Sequence, residues 1–168
     1  PYATHAGGYG LPFVLGLAGS MVAAALVAFV VGIPCLRLRA DYLAITTIGI
    51  ATILQLAALN LPGLTGGSRG IPGVPRPLPE LFDSVVERNL LMLALVLALV
   101  AIVYLALEAM LRSPWGRVLK AIREDETAAS SLGKNAFAFR LQAFVIGSAI
   151  MGLGGALYAS FIGFISPP

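Results

Sequence analysis

The 168-residue chain is 58% hydrophobic and only 11% charged, with a mean hydropathy of +0.91, whereas soluble domains average about 25% charged residues. That balance excludes an ordinary soluble domain, and continuous apolar runs in place of short alternating segments exclude a membrane β-barrel. The net charge of +3 comes from few ionisable groups, with no basic patch interleaved with aromatics, so nothing argues for nucleic acid.

What remains is an all-α, polytopic integral membrane bundle, because helices satisfy every backbone polar group in lipid. The chain begins at Pro1-Tyr2-Ala3, without Met, and stops at Ser166-Pro167-Pro168 straight after an apolar run. We read it as a piece of a longer protein, forming part of one transmembrane domain over residues 1–168. Leu11–Ile33 is free of charge for 23 residues, enough for a span that needs about 20. Pro34 closes it, and the lone cysteine, Cys35, reads as a packed thiol. One cysteine rules out an intrachain disulfide and a cysteine metal cluster.

After Arg37 and Arg39, no charge appears from Tyr42 to Ser68. A second span is expected over Leu43–Leu59, short or interrupted, and more polar than its neighbours through Thr46, Thr47, Gly49, Gln55 and Asn60. Residues 60–88 form a Pro/Gly loop, and irregular backbone of this kind must be buried in protein or line water. Asn89–Leu107 supplies 19 uncharged residues and a third span, with Glu108 and Arg112 marking its exit. The charged segment 112–140 does not span. Ser113 is a good N-cap and Pro114 suits the first helical position. Trp115, Val118, Leu119 and Ile122 recur at helical spacing. A second short piece, Glu126–Leu132, ends at Gly133 in the left-handed conformation. Leu141–Ile165 is the fourth span. Its small residues fall four apart on neighbouring faces, Ser148–Gly152–Ala156–Ser160 and Gly155–Ala159–Gly163, which lets helix backbones approach closely.

Orientation follows from basic residues in short loops. Placing 112–140 inside puts eight basic residues inside (Arg37, Arg39, Arg112, Arg117, Lys120, Arg123, Lys134, Arg140) and three outside (Arg69, Arg76, Arg88). Catalytic and metal sites find no support. The single histidine, His5, has no second ligand at metal spacing, and no phosphate-binding GxxxxGK[ST] pattern occurs. No acidic residue lies within an expected span, which disfavours a proton relay. Thr46, Thr47 and Gln55 either face a cavity or bond a neighbouring helix. The charged segment, an apolar stripe set among charges, either docks in a groove on a soluble partner, lies on the membrane surface, or is a solvated connector.

Three stretches carry a resemblance. LRLRADYLAITTIGIATILQL (Leu36–Leu56), LTGGSRGIPGVPRP (Leu64–Pro77) and the run from Trp115 to Ala159, with Glu126-Thr127-Ala128-Ala129 four residues before Gly133, resemble the permeases of branched-chain amino-acid ABC importers, in particular their M-type subunit. Ala40 stands where the family has glycine, Ile48 where it has leucine, and Ser130-Ser131 precede Leu132-Gly133. The resemblance implies a multi-pass inner-membrane permease that is not itself an enzyme and binds no cofactor. It would pair with a homologous second permease, two cytoplasmic ATPases that bind ATP and Mg, and a periplasmic binding protein for the amino acid. It also implies that Arg123, Glu124, Asp125, Glu126, Ala128, Ala129 and Gly133 form the ATPase-coupling helix in a cytoplasmic loop. Thr46, Thr47, Gly49, Gln55, Thr65, Gly66 and Gly67 would lie near the substrate pathway. The alternatives are a urea or short-amide permease, from which GIPGVPRP leans away, and a non-transporting scaffold that recruits a soluble partner.

Overall fold

Runs of Leu, Val, Ala and Ile without charge leave the backbone no polar partner but itself, and the chain folds accordingly into helices. A computed structural model describes residues 13–38, 40–61, 71–72 and 85–165. The helices are α1 (Phe13–Cys35), α2 (Ala40–Asn60), α3 (Val85–Arg112), α4 (Pro114–Glu124), α5 (Glu126–Ser131) and α6 (Ala136–Ile162). Two two-residue strands, β1 (Ile71–Pro72) and β2 (Phe164–Ile165), complete the described elements. Three helices, α1, α3 and α6, are long and apolar enough to cross a membrane, and α2 carries a shorter apolar stretch, Ala44–Asn60. The protein is therefore a polytopic helical membrane protein.

The tightest seam joins α1 to α6, which run antiparallel. Ala28, Gly32 and Cys35 recur on one face of α1 and are buried. A Cβ added at Gly32 would meet Leu141 Cδ1 at 2.8 Å and Phe144 Cδ1 at 3.0 Å. One added at Gly152 would meet Ala24 Cβ and the Ser20 carbonyl oxygen, each at 2.6 Å. Each helix thus gives a glycine to the other, and the backbones close to a distance that larger residues forbid. At the end where α1 closes and α6 opens, the Arg37 guanidinium lies 5.3 Å from the Phe137 ring centroid, within cation–π range.

Several boundaries differ from the sequence expectation. The expected fourth span, α6, starts at Ala136, where Asn135 Oδ1 accepts the Ala138 N–H at 3.1 Å. It ends at Ile162, three residues short of Ile165, because Gly163 turns left-handed at φ 75°. The released strand β2 then pairs antiparallel with β1, Ile71 opposite Ile165 and Pro72 opposite Phe164. Pro34 lies inside the last turn of α1 instead of closing it. The chain leaves α1 through short-range bonds, Arg37 N–H to Pro34 O and Leu38 N–H to Cys35 O. Helix α3 has 28 residues, about 42 Å at 1.5 Å per residue, against a hydrocarbon core of about 30 Å. Its charged ends carry the excess, and Glu108 and Arg112 pair at 2.7 Å across one turn.

Candidate functional site

The charged segment folds as two short helices held against the start of α6. Pro114 opens α4, as its missing N–H allows. Ser113 occupies the N-cap position, but its hydroxyl does not cap α4. It donates to Met110 O at 2.6 Å and so closes the end of α3. Only its carbonyl serves α4, accepting from Arg117 N–H at 3.2 Å. Gly116 sits where α4 turns back on α3: a Cβ there would lie 2.2 Å from the Leu111 carbonyl oxygen.

Asp125 joins the two short helices. Its backbone N–H donates to Ala121 O, ending α4, while Oδ1 accepts from Ala128 N–H at 2.9 Å and caps α5. Helix α5 then stops in a Schellman motif. Gly133, at φ +76°, donates to Ser130 O, and Lys134 N–H reaches Ala129 O at 3.2 Å. The turn inverts the chain so that α6 returns over the short helices. Ile122, Ala129 and Ala136 become one buried cluster, with Val118 and Phe139 packed on it. Two side-chain contacts tighten the arrangement. Arg140 pairs with Glu126, and Trp115 Nε1 donates to Gln142 Oε1 at 2.8 Å.

This geometry separates the residues grouped by the sequence motif. Arg123, Glu124 and Ala128 are exposed, available to a partner. Ala129 is buried and must be small to fit between Ile122 and Ala136. Asp125 and Gly133 shape the backbone, and Glu126 is engaged within the chain. Sequence reasoning missed the roles of Arg140, Gln142 and Ala136, which come into play only once the Gly133 turn has folded α6 back. It also missed Leu132, whose exposed apolar side chain is 80% accessible beside the turn.

The polar residues of α2 are not gathered in one place. An open cleft of about 480 Å³ lies between α1, α2 and α6. Val27, Val31, Ile50, Leu54, Phe144 and Met151 give it apolar walls, and Thr47 and Ser148 bring the hydroxyls. Thr47 Oγ1 donates to Ala44 O at 2.9 Å within its own helix. Thr46, Gly49 and Gln55 fall outside the cleft's lining. Gly49 is exposed, with nothing within 4 Å of an added Cβ. Thr65, Gly66 and Gly67 lie outside the described residues. Among the described residues, no group of three or more His, Cys, Asp or Glu is placed to hold a metal ion.

Residues 2–168 match the protein family described as branched-chain amino acid transport system / permease component. The high-affinity branched-chain amino acid transport system permease protein LivM of Escherichia coli K12 is 37% identical over 182 residues, covering 95% of this chain and 42% of that protein. The LivM protein of Salmonella typhimurium matches to the same extent, 37% over 95% of the chain. A probable branched-chain amino acid transport permease protein LivM of Methanocaldococcus jannaschii is 35% identical over 84% of the chain. The chain spans 41–42% of the length of these curated relatives. No solved structure matches it.

Proposed function

This chain belongs to the family of branched-chain amino acid transport system permease components, and on that premise we propose that it is part of the membrane subunit of an ATP-driven ABC importer for branched-chain amino acids. The family is one of transport permeases, not of enzymes. With its membrane-length helices, the chain is a multi-pass protein of the bacterial inner membrane. The observation that carries the functional reading is the match over residues 2–168 to permeases of branched-chain amino acid transport.

In this reading, α4 and α5 form the coupling element. Arg123, Glu124 and Ala128, with Leu132 beside them, meet a cytoplasmic ATPase. Asp125, Glu126, Ala129 and Gly133 hold the element in shape. ATP and Mg belong to two ATPase subunits, a homologous second permease completes the pathway, and a periplasmic binding protein delivers the amino acid. The ligand is a zwitterion with an aliphatic side chain. Apolar walls suit the side chain, while polar backbone at broken helices suits the charged groups. Thr46, Thr47, Gly49, Gln55, Thr65, Gly66 and Gly67 are assigned to that pathway, Thr47 with support from its place beside Ser148 in an apolar cleft.

The test is uptake of labelled leucine into proteoliposomes containing the full-length protein with its partners, binding protein and ATP, with urea as competitor. ATP-dependent leucine uptake that urea does not reduce is expected. Transport of urea in place of leucine would move the substrate to short amides. Absence of both in an assembled complex would favour a scaffold that only recruits a soluble partner.

A further inference from the structure

Three kinds of contact join α4 and α5 to α6, and they differ in what they constrain. The apolar cluster of Ile122, Ala129, Ala136 and Phe139 holds the helices together, but apolar contact is non-directional. By itself it does not fix the angle at which they meet. The Glu126–Arg140 ion pair and the Trp115–Gln142 hydrogen bond are directional. They come one from each short helix, Trp115 from α4 and Glu126 from α5, and so fix the angle as well as the contact. On α6's side Arg140 donates to Glu126 and Gln142 accepts from Trp115, and the two residues lie half a turn apart on one helix.

Helix α6 is also the element that reaches the far end of the bundle. It is interlocked with α1 through Gly32 and Gly152, and close-packed interfaces transmit displacement instead of absorbing it. Beyond Gly163 it continues directly into β2, which is hydrogen-bonded to Ile71–Pro72. One continuous path therefore runs from the short helices to a strand pair at the opposite end, over about 40 Å for a helix of 27 residues at 1.5 Å each.

We propose that Arg140 and Gln142 are positioning residues: they clamp α4–α5 in fixed register on α6, so that displacement of the short helices moves the β1–β2 pair at the other end. The proposal rests on the ATP-driven reading above, and adds where the movement goes. The ion pair is half-exposed, with side chains 39% and 50% accessible. Such pairs contribute little to folding, so their removal leaves an inserted, assembled protein in which only the register is lost.

The experiment uses the full-length protein in complex with its partners, with Cys35 and every other native cysteine of the complex replaced by Ser and a single reporter, Ile165→Cys, beside the strand pair. Maleimide labelling of the reporter is timed with and without a non-hydrolysable ATP analogue. In the otherwise unaltered protein the analogue changes the labelling rate. In the Arg140→Gln/Gln142→Leu variant that response is lost, while ATP-analogue binding to the assembled complex persists. The reciprocal pair Glu126→Arg/Arg140→Glu, with Gln142 intact, restores it. A response that survives in the first variant, or that is absent before any substitution in α6, overturns the proposal. So does a reciprocal pair that stays silent. Labelling is read without any transported solute, so failure of leucine uptake would count against the substrate assignment alone.

Discussion

The α1–α6 seam makes a quantitative demand that a pair of alanine substitutions tests. At Gly152 an added methyl carbon would stand 2.6 Å from Ala24 Cβ and from Ser20 O, where carbon contacts are normally about 3.5–4.0 Å. The helices would have to part by about 1 Å along a seam that supplies most of the described packing. Overpacking of this kind costs about 1–3 kcal/mol, against about 0.5–1 kcal/mol recovered by replacing a helical glycine with alanine. Gly155, three residues on, has nothing within 4 Å of an added Cβ, and collects only the gain. The gain is common to both variants, which should therefore differ by the overpacking cost, about 1–3 kcal/mol, with Gly152→Ala the weaker. Cys35 provides the readout: it is 1% exposed, is the chain's lone cysteine, and lies on the seam itself. Its reaction with a fluorogenic maleimide during heating in detergent reports opening of α1 from α6. At about 2–4 °C per kcal/mol for chains of this size, the unfolding midpoints should separate by several degrees. Equal midpoints, or a lower one for Gly155→Ala, would refute the close-approach argument.

Three further outcomes are expected. Gly133→Val places a β-branched residue at φ +76°, where L-residues already lose about 1–2 kcal/mol; ATP-dependent uptake by the full-length complex should vanish while membrane insertion persists, and normal uptake would sink the coupling assignment. Asp125→Ala removes the cap from the Ala128 N–H, worth about 0.5–2 kcal/mol, so amide exchange at the start of α5 should quicken, with that in α6 unchanged. Gly116→Ala forces a carbon to 2.2 Å from the Leu111 backbone oxygen, which no side-chain rotation relieves; α4 should swing away and break the Trp115–Gln142 bond, visible as a shift in the emission of the sole tryptophan.

What the sequence disclosed and what it withheld follow from the range of the interactions. The short helices were legible because their punctuation is local: Pro114 fits a first helical position, and Gly133 fits a left-handed residue. The Ser113 hydroxyl was misassigned because a serine between two helices has two carbonyl- and amide-lined ends within reach, and here it serves Met110 O behind it. The end of α6 was hidden for a different reason. Hydropathy continues through Phe164 and Ile165, and in a helix already containing Gly147, Gly152, Gly154 and Gly155, nothing in the composition marks Gly163 as the one that turns left-handed. Glu126 and Arg140 are 14 residues apart, and their meeting depends on the turn between them. Of the described polar residues in α2, Thr47 alone lines the cleft, with Ile50, Ala51 and Leu54; helical periodicity puts Gly49 on the opposite side and Thr46 and Gln55 at the flanks of that face. Residue type marked the helix as unusual; rotation about its axis decided which side chain lines the cleft.

The distance in sequence between α1 and α6 has a consequence for how the protein is made. About 100 residues separate Cys35 from Ala136, so at about 5–20 residues per second the ribosome delivers α6 some 5–20 s after α1. During that interval the seam face of α1 waits without α6 as its neighbour. Its composition suits the wait. Ala28, Gly32 and Cys35 offer nothing that hydrocarbon penalises, and the hydroxyl of Ser20 is already spent on Leu17 O in its own helix, at 2.7 Å. Among these residues, the surface that will later admit α6 most closely leaves no hydrogen bond unmet before α6 arrives. The order of synthesis, as much as the finished contact, is written into that face.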